Sequence, residues 1–374
     1  MNIGIYSPRV GFANSGGTET VVRELTKQLT GRHDITLYTG TGNILPEVER
    51  MDADIVQVDL IPKESRLNER VCSYTPLMSA EVESLSMFWN VLRSDVRDAL
   101  NREDIVSTHY YLDNLLLSRT LSVPNVFHIP GIRHSSIRWK LMGRFAQPDS
   151  YLATSKDTKQ RAEDWLGVSV DGIVYPSVDR DQFNPDVKPA VTEDDPIVMF
   201  VGRLQDGKGV PDLLDAYAQL VSPAVLYIVG DGPLRAELEQ RAHDIGIADC
   251  VRFTGAVEHE AIHQYFAACD VFCLPSYHEG FPVVNLEALA SGKPIVSTDI
   301  NAIAEQVTEG KNGYLVSPGD VNGLTEALDR LLGDGPRRER FGRVSREVSE
   351  KFTWDRQAEI LEMHLQRIVN DNVE

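Results

Sequence analysis

Residues 197–217 read Ile197-Val198-Met199-Phe200-Val201, then Gly202-Arg203-Leu204-Gln205-Asp206-Gly207-Lys208-Gly209, then a helical pattern opened by Pro211. A short apolar run, a glycine-bearing turn and a helix with proline in its first turn make up half of a βαβ unit. The same unit recurs on both sides. Downstream, strand-like runs fall at residues 225–229, 251–253, 271–274, 295–297 and 314–316, each followed by a helical pattern. Upstream, the first unit is a run at 2–7, a glycine turn and an amphipathic stretch from Thr18 to Leu29, with further runs at 35–39, 55–58, 105–108, 126–129, 151–154 and 173–175. Strands alternating with helices from end to end predict an α/β protein with doubly wound parallel sheets.

At 374 residues the chain is too long for one ordinary core, and two domains follow. The text DRDQFNPDVKPAVTEDDP at 179–196 is rich in Asp and Pro and poor in apolar periodicity, so the linker is expected there. We place the first domain at 1–186 and the second at 187–353. Ligands of such sheets bind outside the carboxyl ends of the strands. Residues 60–100 fit this scheme least: they are long for a connection, and their second half predicts a helix with Leu85, Phe88, Trp89 and Leu92 on one face.

Composition bounds the partners. The formal charge is −19, which excludes a surface built to neutralise duplex phosphates, so no nucleic-acid partner is expected and any anion must meet a local cationic site. Arg outnumbers Lys, which fits either a salt-rich cytosol or a codon bias towards Arg. Cys72, Cys250, Cys269 and Cys273 form no C-x-x-C pair, and reduced thiols of a cytoplasmic protein are expected. No charged leader precedes an apolar run, and no run of 18 apolar residues exists.

The turn 202–209 nearly matches a P-loop, but Gly209 stands where a metal-binding hydroxyl belongs, which argues against an NTPase. Its two cations, Arg203 and Lys208, suit a phosphate or diphosphate, each charge-assisted bond contributing about 1.5–3 kcal/mol. A second turn, Val229-Gly230-Asp231-Gly232-Pro233, admits two readings, close ligand approach or a plain tight turn. The most specific segment is Ser276-Tyr277-His278-Glu279-Gly280-Phe281-Pro282-Val283-Val284-Asn285-Leu286-Glu287. Pro282 falls at a helix start, so the amides of Gly280, Phe281, Val283 and Val284 form an anion site where the helix dipole favours phosphate. Glu279 at the helix mouth and Glu287 inside it cannot also bind phosphate, and sugar hydroxyls are their natural partners. Near the amino terminus, Gly16-Gly17 opens the first helix without the G-x-G-x-x-G fingerprint. His109 and His128 end strands and are expected to point into a cleft between the domains. Asp52-Ala53-Asp54 precedes its strand on a turn of solvated acids, and no His, Cys or acid spacing makes a zinc site, so no metal and no cofactor are expected.

Taken together and in this order, the Gly16-Gly17 turn, the Arg203/Lys208 loop, the VGDGP turn and the EGFPVVNLE segment resemble the retaining glycosyltransferases of family 4. The resemblance covers nearly the whole chain and is strongest from Ile197 to Val316. It implies the GT-B fold, two doubly wound Rossmann-like domains facing across a cleft, with the closing Phe352-Thr353-Trp354-Asp355 and a helix at 354–374 crossing back onto the first domain. It also implies site roles: Glu279 for donor-sugar hydroxyls, Glu287 for the ribose, Arg203 and Lys208 with Gly17 for the diphosphate, the backbone of Val257 for the base, and His128 near the sugar and the reacting centre. His109 ranks lower. Where the family commonly has Asn-Gly-Val-Asp, this chain has Pro176-Ser177-Val178-Asp179, a change in the hinge rather than the donor site.

The activity implied is a metal-independent transfer, with retained configuration, of a hexose-type sugar from a nucleotide sugar, a UDP-sugar first and GDP-mannose next, to a hydroxyl of a glycan or lipid-linked acceptor. A GT-B-type epimerase or phosphorylase and a non-catalytic nucleotide-sugar-binding protein are the alternatives, separated by product analysis. Residues 133–145 carry Arg133, Arg138, Lys140 and Arg144, no acid, and Trp139. Such a stretch is either an ordinary basic face or a peripheral contact with the inner face of the membrane.

Overall fold

A computed structural model describes residues 1–12, 17–75, 77–132 and 143–373. The chain divides into two compact units, Met1–Pro176 with Trp354–Glu374, and Ser177–Thr353.

The first unit holds a seven-stranded parallel sheet: β1 (Asn2–Tyr6), β2 (Asp34–Gly40), β3 (Asp54–Val58), β4 (Ile105–Thr108), β5 (Asn125–Ile129), β6 (Ser150–Ala153) and β7 (Gly172–Ile173), in the order β3-β2-β1-β4-β5-β6-β7. The second holds six parallel strands: β8 (Ile197–Val201), β9 (Val225–Val229), β10 (Val251–Gly255), β11 (Val271–Leu274), β12 (Ile295–Thr298) and β13 (Gly313–Val316), in the order β10-β9-β8-β11-β12-β13. Every strand expected from the sequence is present. Both faces of each sheet are covered, which is why the central strands read as unbroken apolar runs rather than alternating ones. The strand order reverses between β1 and β4 and between β8 and β11, so each unit has its crevice at those carboxyl ends.

The last helix, Trp354–Val373, is part of the first unit's core. Trp354, Ala358, Leu361, Leu365 and Ile368 repeat every three or four residues and pack with Ile3, Ile5, Leu25 and Leu29. Gly172 makes room for it, since a Cβ there would lie 2.2 Å from Nε2 of His364. The Gln357 side chain accepts a hydrogen bond from the Tyr175 amide at 2.9 Å.

Two expectations need correction. Residues 177–186 pack with the second unit, not the first. The Val178 amide donates to the Phe352 carbonyl at 3.0 Å, the Arg346 guanidinium donates to the carbonyls of Arg180 and Phe183 at 3.0 and 2.8 Å, and the Phe183 ring lies against Phe266 at 5.8 Å. What reads as linker is thus fastened by one half-buried cation. In the helix Ser79–Leu92 the buried face is Val82, Met87 and Val91, with Phe88 packed beside it. Trp89 is 58% exposed and Leu92 40%, and the Arg93 guanidinium covers the Trp89 ring at 5.3 Å. Among the described residues no helix is long and apolar enough to cross a membrane. Residues 133–142 of the basic stretch lie outside the described residues.

One buried acid stands apart. Asp113, in the helix Tyr111–Leu117, is 1% exposed, and neither carboxyl oxygen has a hydrogen-bond partner among the described residues. Burial pushes its pKa up to about 7, the nearby Ser84 hydroxyl offsetting only part of the shift. A carboxyl whose folded pKa is raised contributes stability below its unfolded value and loses it as pH rises through the folded one. Wild-type unfolding free energy should therefore fall between pH 4 and 8, by up to about 4 kcal/mol from this group, and Asp113→Asn should flatten that slope. Denaturant titrations at several pH values check this; equal slopes in the two proteins would contradict it.

Candidate functional site

In the second unit, three strand-end turns are laced together by their backbones. The Gly202 amide donates to the Val229 carbonyl at 3.0 Å, the Leu204 amide to Asp231 at 2.9 Å, and the Gly230 amide to Gly255 at 2.9 Å. The glycines of the second turn serve this packing: a Cβ on Gly230 would lie 2.0 Å from the Gly202 carbonyl oxygen, and one on Gly232 would lie 2.3 Å from that of Leu204. Gly209 has φ +67° and caps the helix Val210–Tyr217, and its Cβ would lie 1.9 Å from the Pro275 carbonyl oxygen. The Tyr277 amide closes the contact by donating to the Gly207 carbonyl at 2.8 Å. The turn after β8 therefore sits directly on the turn after β11, at the sheet's switch point.

That contact aligns the charged side chains. Lys208 Nζ lies 2.6 Å from Glu279 Oε1, and the Ser276 hydroxyl donates to the same oxygen at 2.7 Å. Both side chains are mostly shielded, at 23% and 12% exposure. Glu279 Oε2 has no partner among the described residues. Arg203 is exposed and forms no ion pair among the described residues. The helix Val283–Ala290 starts next to Glu279, with Pro282 at its N-cap and no side chain capping its first amides. Gly280 is exposed at this mouth, while Phe281 and Pro282 are buried beneath it. Glu287 lies inside the helix, 8% exposed and without a hydrogen-bond partner among the described residues, and burial pushes its pKa up to about 7. Val257 is half-buried in the loop after β10.

The sequence placed Lys208 on phosphate and Glu279 on sugar; in the structure they meet each other. It did not single out Ser276, Asn301 or Gln306, which hold the Glu279 loop: Asn301 Nδ2 donates to the Glu279 carbonyl, and Gln306 Nε2 to that of Pro282 at 3.2 Å. No spacing marks these two amides, which act from beyond the next strand.

In the first unit, Gly17 opens the helix Gly17–Thr30 with open space where a Cβ would be. Gly16 lies outside the described residues. His109 and His128 are buried with their ring centroids 4.6 Å apart, and the Ser107 hydroxyl lies 3.1 Å from His109 Nε2. His128 Nε2 is buried without a hydrogen-bond partner among the described residues. Burial, with a smaller contribution from His364 of the last helix, lowers the His128 pKa to about 4; burial and then His128 hold His109 well below the usual range. Both rings are therefore neutral near pH 7. Among the described residues no three His, Cys, Asp or Glu side chains cluster as a metal site.

Comparison with known proteins gives two family matches. The model described as Glycosyl transferases group 1 matches residues 181–348, and that described as Glycosyltransferase Family 4 matches residues 15–182. The D-inositol 3-phosphate glycosyltransferase of Xylanimonas cellulosilytica is 28% identical over 395 aligned positions, covering 93% of this chain and 91% of its own. Sulfoquinovosyl transferase SQD2 of Arabidopsis thaliana is 32% identical over 188 positions, covering 47% of this chain and 36% of its own. Among solved structures, sucrose-phosphate synthase of Thermosynechococcus elongatus superposes with TM-score 0.78 at 21% identity, covering 99% of each chain. Anabaena Alr3699/HepE in complex with UDP superposes with TM-score 0.78 at 18% identity, covering 98% of this chain and 100% of its own.

The turn-on-turn contact makes a stability prediction. Gly209→Ala forces both a left-handed Ala and a collision with backbone, and should cost well over about 2 kcal/mol. Gly207→Ala, with φ +83° but nothing within 4 Å of its Cβ, should cost only about 1 kcal/mol. Urea unfolding of the two variants compares them, and equal losses would contradict the packing.

Proposed function

The chain belongs to glycosyltransferase family 4 and has the GT-B fold, and on that premise we propose that it transfers a hexose-type sugar, without a metal and with retained configuration, from a nucleotide sugar to an acceptor hydroxyl. The observation that carries this reading is the Lys208–Glu279 pair at the mouth of the Val283–Ala290 helix, with Arg203 exposed on the same turn as Lys208 and in no ion pair among the described residues. One cation held by a carboxylate, one free cation and several uncapped amides make a diphosphate site in a chain of net charge −19.

The proposed chemistry follows from where charge develops. The bond from the anomeric carbon to the diphosphate oxygen breaks as the bond to the acceptor oxygen forms on the same face, and the acceptor proton passes to the departing phosphate. Negative charge grows on the phosphate oxygens, and Arg203, Lys208 and the amides of Gly280, Val283 and Val284 stabilise it. Lys208 is already held and partly desolvated, so little reorganisation is needed as the reaction proceeds. Glu279, with Oε2 free, accepts from sugar hydroxyls, and Glu287 accepts from the ribose. Phe281 and Pro282 shape the floor, Gly230 allows close approach, and the Val257 backbone receives the base. Gly17 and His128 are the proposed donor contacts of the first domain, the neutral His128 ring offering its unpartnered nitrogen to a hydroxyl.

UDP-sugars are the first donor choice, which fits the structural relative solved with UDP and UDP-glucose, and GDP-mannose is next. Besides a glycan or lipid-linked acceptor, a polyol phosphate is a third proposed acceptor class, suggested by similarity to the D-inositol 3-phosphate glycosyltransferases.

A donor screen read by nucleotide release tests the reading. Lys208→Ala and Arg203→Ala should each lower turnover 100-fold or more, the scale of losing one donor to a developing oxyanion. Near-normal turnover in both would remove the assignment. Because Glu287 must be ionised to accept two hydroxyls, nucleotide affinity should rise as pH increases through about 7 and be weak and flat in Glu287→Gln.

For the basic stretch at 133–145 we propose peripheral docking on the anionic inner face of the membrane, supported by its four cations, its lack of acids and Trp139. Co-sedimentation with vesicles containing an anionic phospholipid should be lost in the Arg138→Glu, Lys140→Glu double variant. Binding that survives the double change would count against docking there.

A further inference from the structure

Residues 297–306 send four side-chain donors, one after another, onto carbonyls of residues 274–282. The Ser297 hydroxyl donates to Leu274 at 2.7 Å, the Thr298 hydroxyl to Ser276 at 2.5 Å, Asn301 Nδ2 to Glu279, and Gln306 Nε2 to Pro282 at 3.2 Å. The first two fix the end of β11. The last two act on the helix mouth that bears the candidate phosphate amides.

A peptide group is planar and, with no cis bonds among the described residues, its C=O and the next N–H point in opposite directions. Fixing the Glu279 carbonyl towards Asn301 therefore aims the Gly280 N–H the other way, out of the fold, and Gly280 is exposed there. Fixing the Pro282 carbonyl towards Gln306 does the same for the Val283 N–H at the helix start. Gln306 is 1% exposed and is itself held: Asn285 Nδ2 donates to its side-chain oxygen at 2.9 Å, and Asn312 Nδ2 to its backbone carbonyl at 3.0 Å. Asn301 has φ +46°, the one positive value at a residue other than Gly among the described residues, a conformation that costs an ordinary side chain about 1–2 kcal/mol. Asn tolerates it best after Gly, and only Asn adds an amide donor. A backbone outlier that a side-chain hydrogen bond ties to a binding loop points to function rather than to packing alone.

We infer that Asn301 and Gln306 are positioning residues: by holding the carbonyls of Glu279 and Pro282, they keep the Gly280 and Val283 amides turned towards the donor's diphosphate. This rests on the proposed function and assigns it two residues that touch neither substrate nor the reacting atoms. Without Asn301 the Glu279–Gly280 peptide plane loses its side-chain tether, and a rotated plane presents a carbonyl to the phosphate in place of an amide; the Pro282 carbonyl, which also accepts from the Asn285 amide at 3.2 Å, keeps one tether when Gln306 is lost.

The test separates phosphate recognition from general stability. Calorimetry with UDP, GDP and ADP identifies the nucleoside diphosphate that wild type binds best, and competition gives the affinity of the matching nucleoside. Asn301→Gly keeps the left-handed backbone at no steric cost and removes the side-chain donor; Asn301→Asp keeps the shape and replaces the donor with an acceptor. Both variants should bind the nucleoside diphosphate at least tenfold more weakly and the nucleoside within twofold of wild type, with Asn301→Gly melting at or above the wild-type temperature. Unchanged diphosphate affinity, or equal losses for nucleoside and diphosphate, would overturn the inference while leaving the proposed function standing. Failure of wild type to bind any of the three diphosphates would overturn both.

Discussion

The contact between the turn after β8 and the turn after β11 is what the rest of the site depends on. Gly209 lies against the Pro275 carbonyl and Gly207 accepts from the Tyr277 amide, so the two loops at the switch point move as one body. Only in that arrangement does Lys208 reach Glu279 at 2.6 Å. In an acidic chain an unheld lysine would be drawn to any of many carboxylates. Here one carboxylate fixes it, with Ser276 sharing the same oxygen, at the edge of a helix whose first amides are uncapped. The ion pair sets position more than stability, because for partly buried pairs desolvation consumes much of the Coulomb gain. On the proposed function, a donor diphosphate would meet a Lys208 that Glu279 already holds and partly desolvates, so part of the cost of stripping water from the cation is already met.

A second constraint is the charge state of the buried groups. Glu287 and Asp113 are both buried carboxyls pushed up to about 7, yet they sit in different units and in different surroundings. Glu287 lies near a candidate ligand that would offer hydroxyls. Asp113 lies among Tyr6, Ser84 and Glu83 with no ligand role assigned. The same shift would thus act on binding in one place, on the proposed function, and on stability in the other. His128 and His109 show the opposite sign, burial keeping both rings uncharged, so neither brings positive charge to the reaction at neutral pH.

Most of this architecture was legible in the sequence, because a parallel sheet covered on both faces writes each strand as an apolar run ending in a glycine turn. The Gly-rich turns and the two glutamates gave the candidate site for the same reason: phosphate and sugar hydroxyls need amides, cations and carboxylates at strand ends, and those residue types are visible one at a time. What was not legible rests on contacts between distant residues. The stretch 177–186 has the composition of a linker, but Arg346, far along the chain, holds its carbonyls. The buried face of the helix Ser79–Leu92 is not the one its apolar pattern suggests, because Trp89, the largest apolar side chain there, is covered by Arg93 instead of by the core. Asn301 and Gln306 carry no motif, since their partners are backbone carbonyls that any residue could supply.

On the proposed function, protein cations and helix amides, without a metal, stabilise the leaving diphosphate while the new bond forms on the face it leaves. The most direct measurement is a proton NMR time course of transfer from an α-linked nucleotide sugar in excess chelator. The first product signal is expected to be the α-glycoside, formed with one equivalent of nucleoside diphosphate and at the rate seen without chelator. A β-glycoside as first product, or activity that is lost in chelator and restored by a divalent cation, would contradict it.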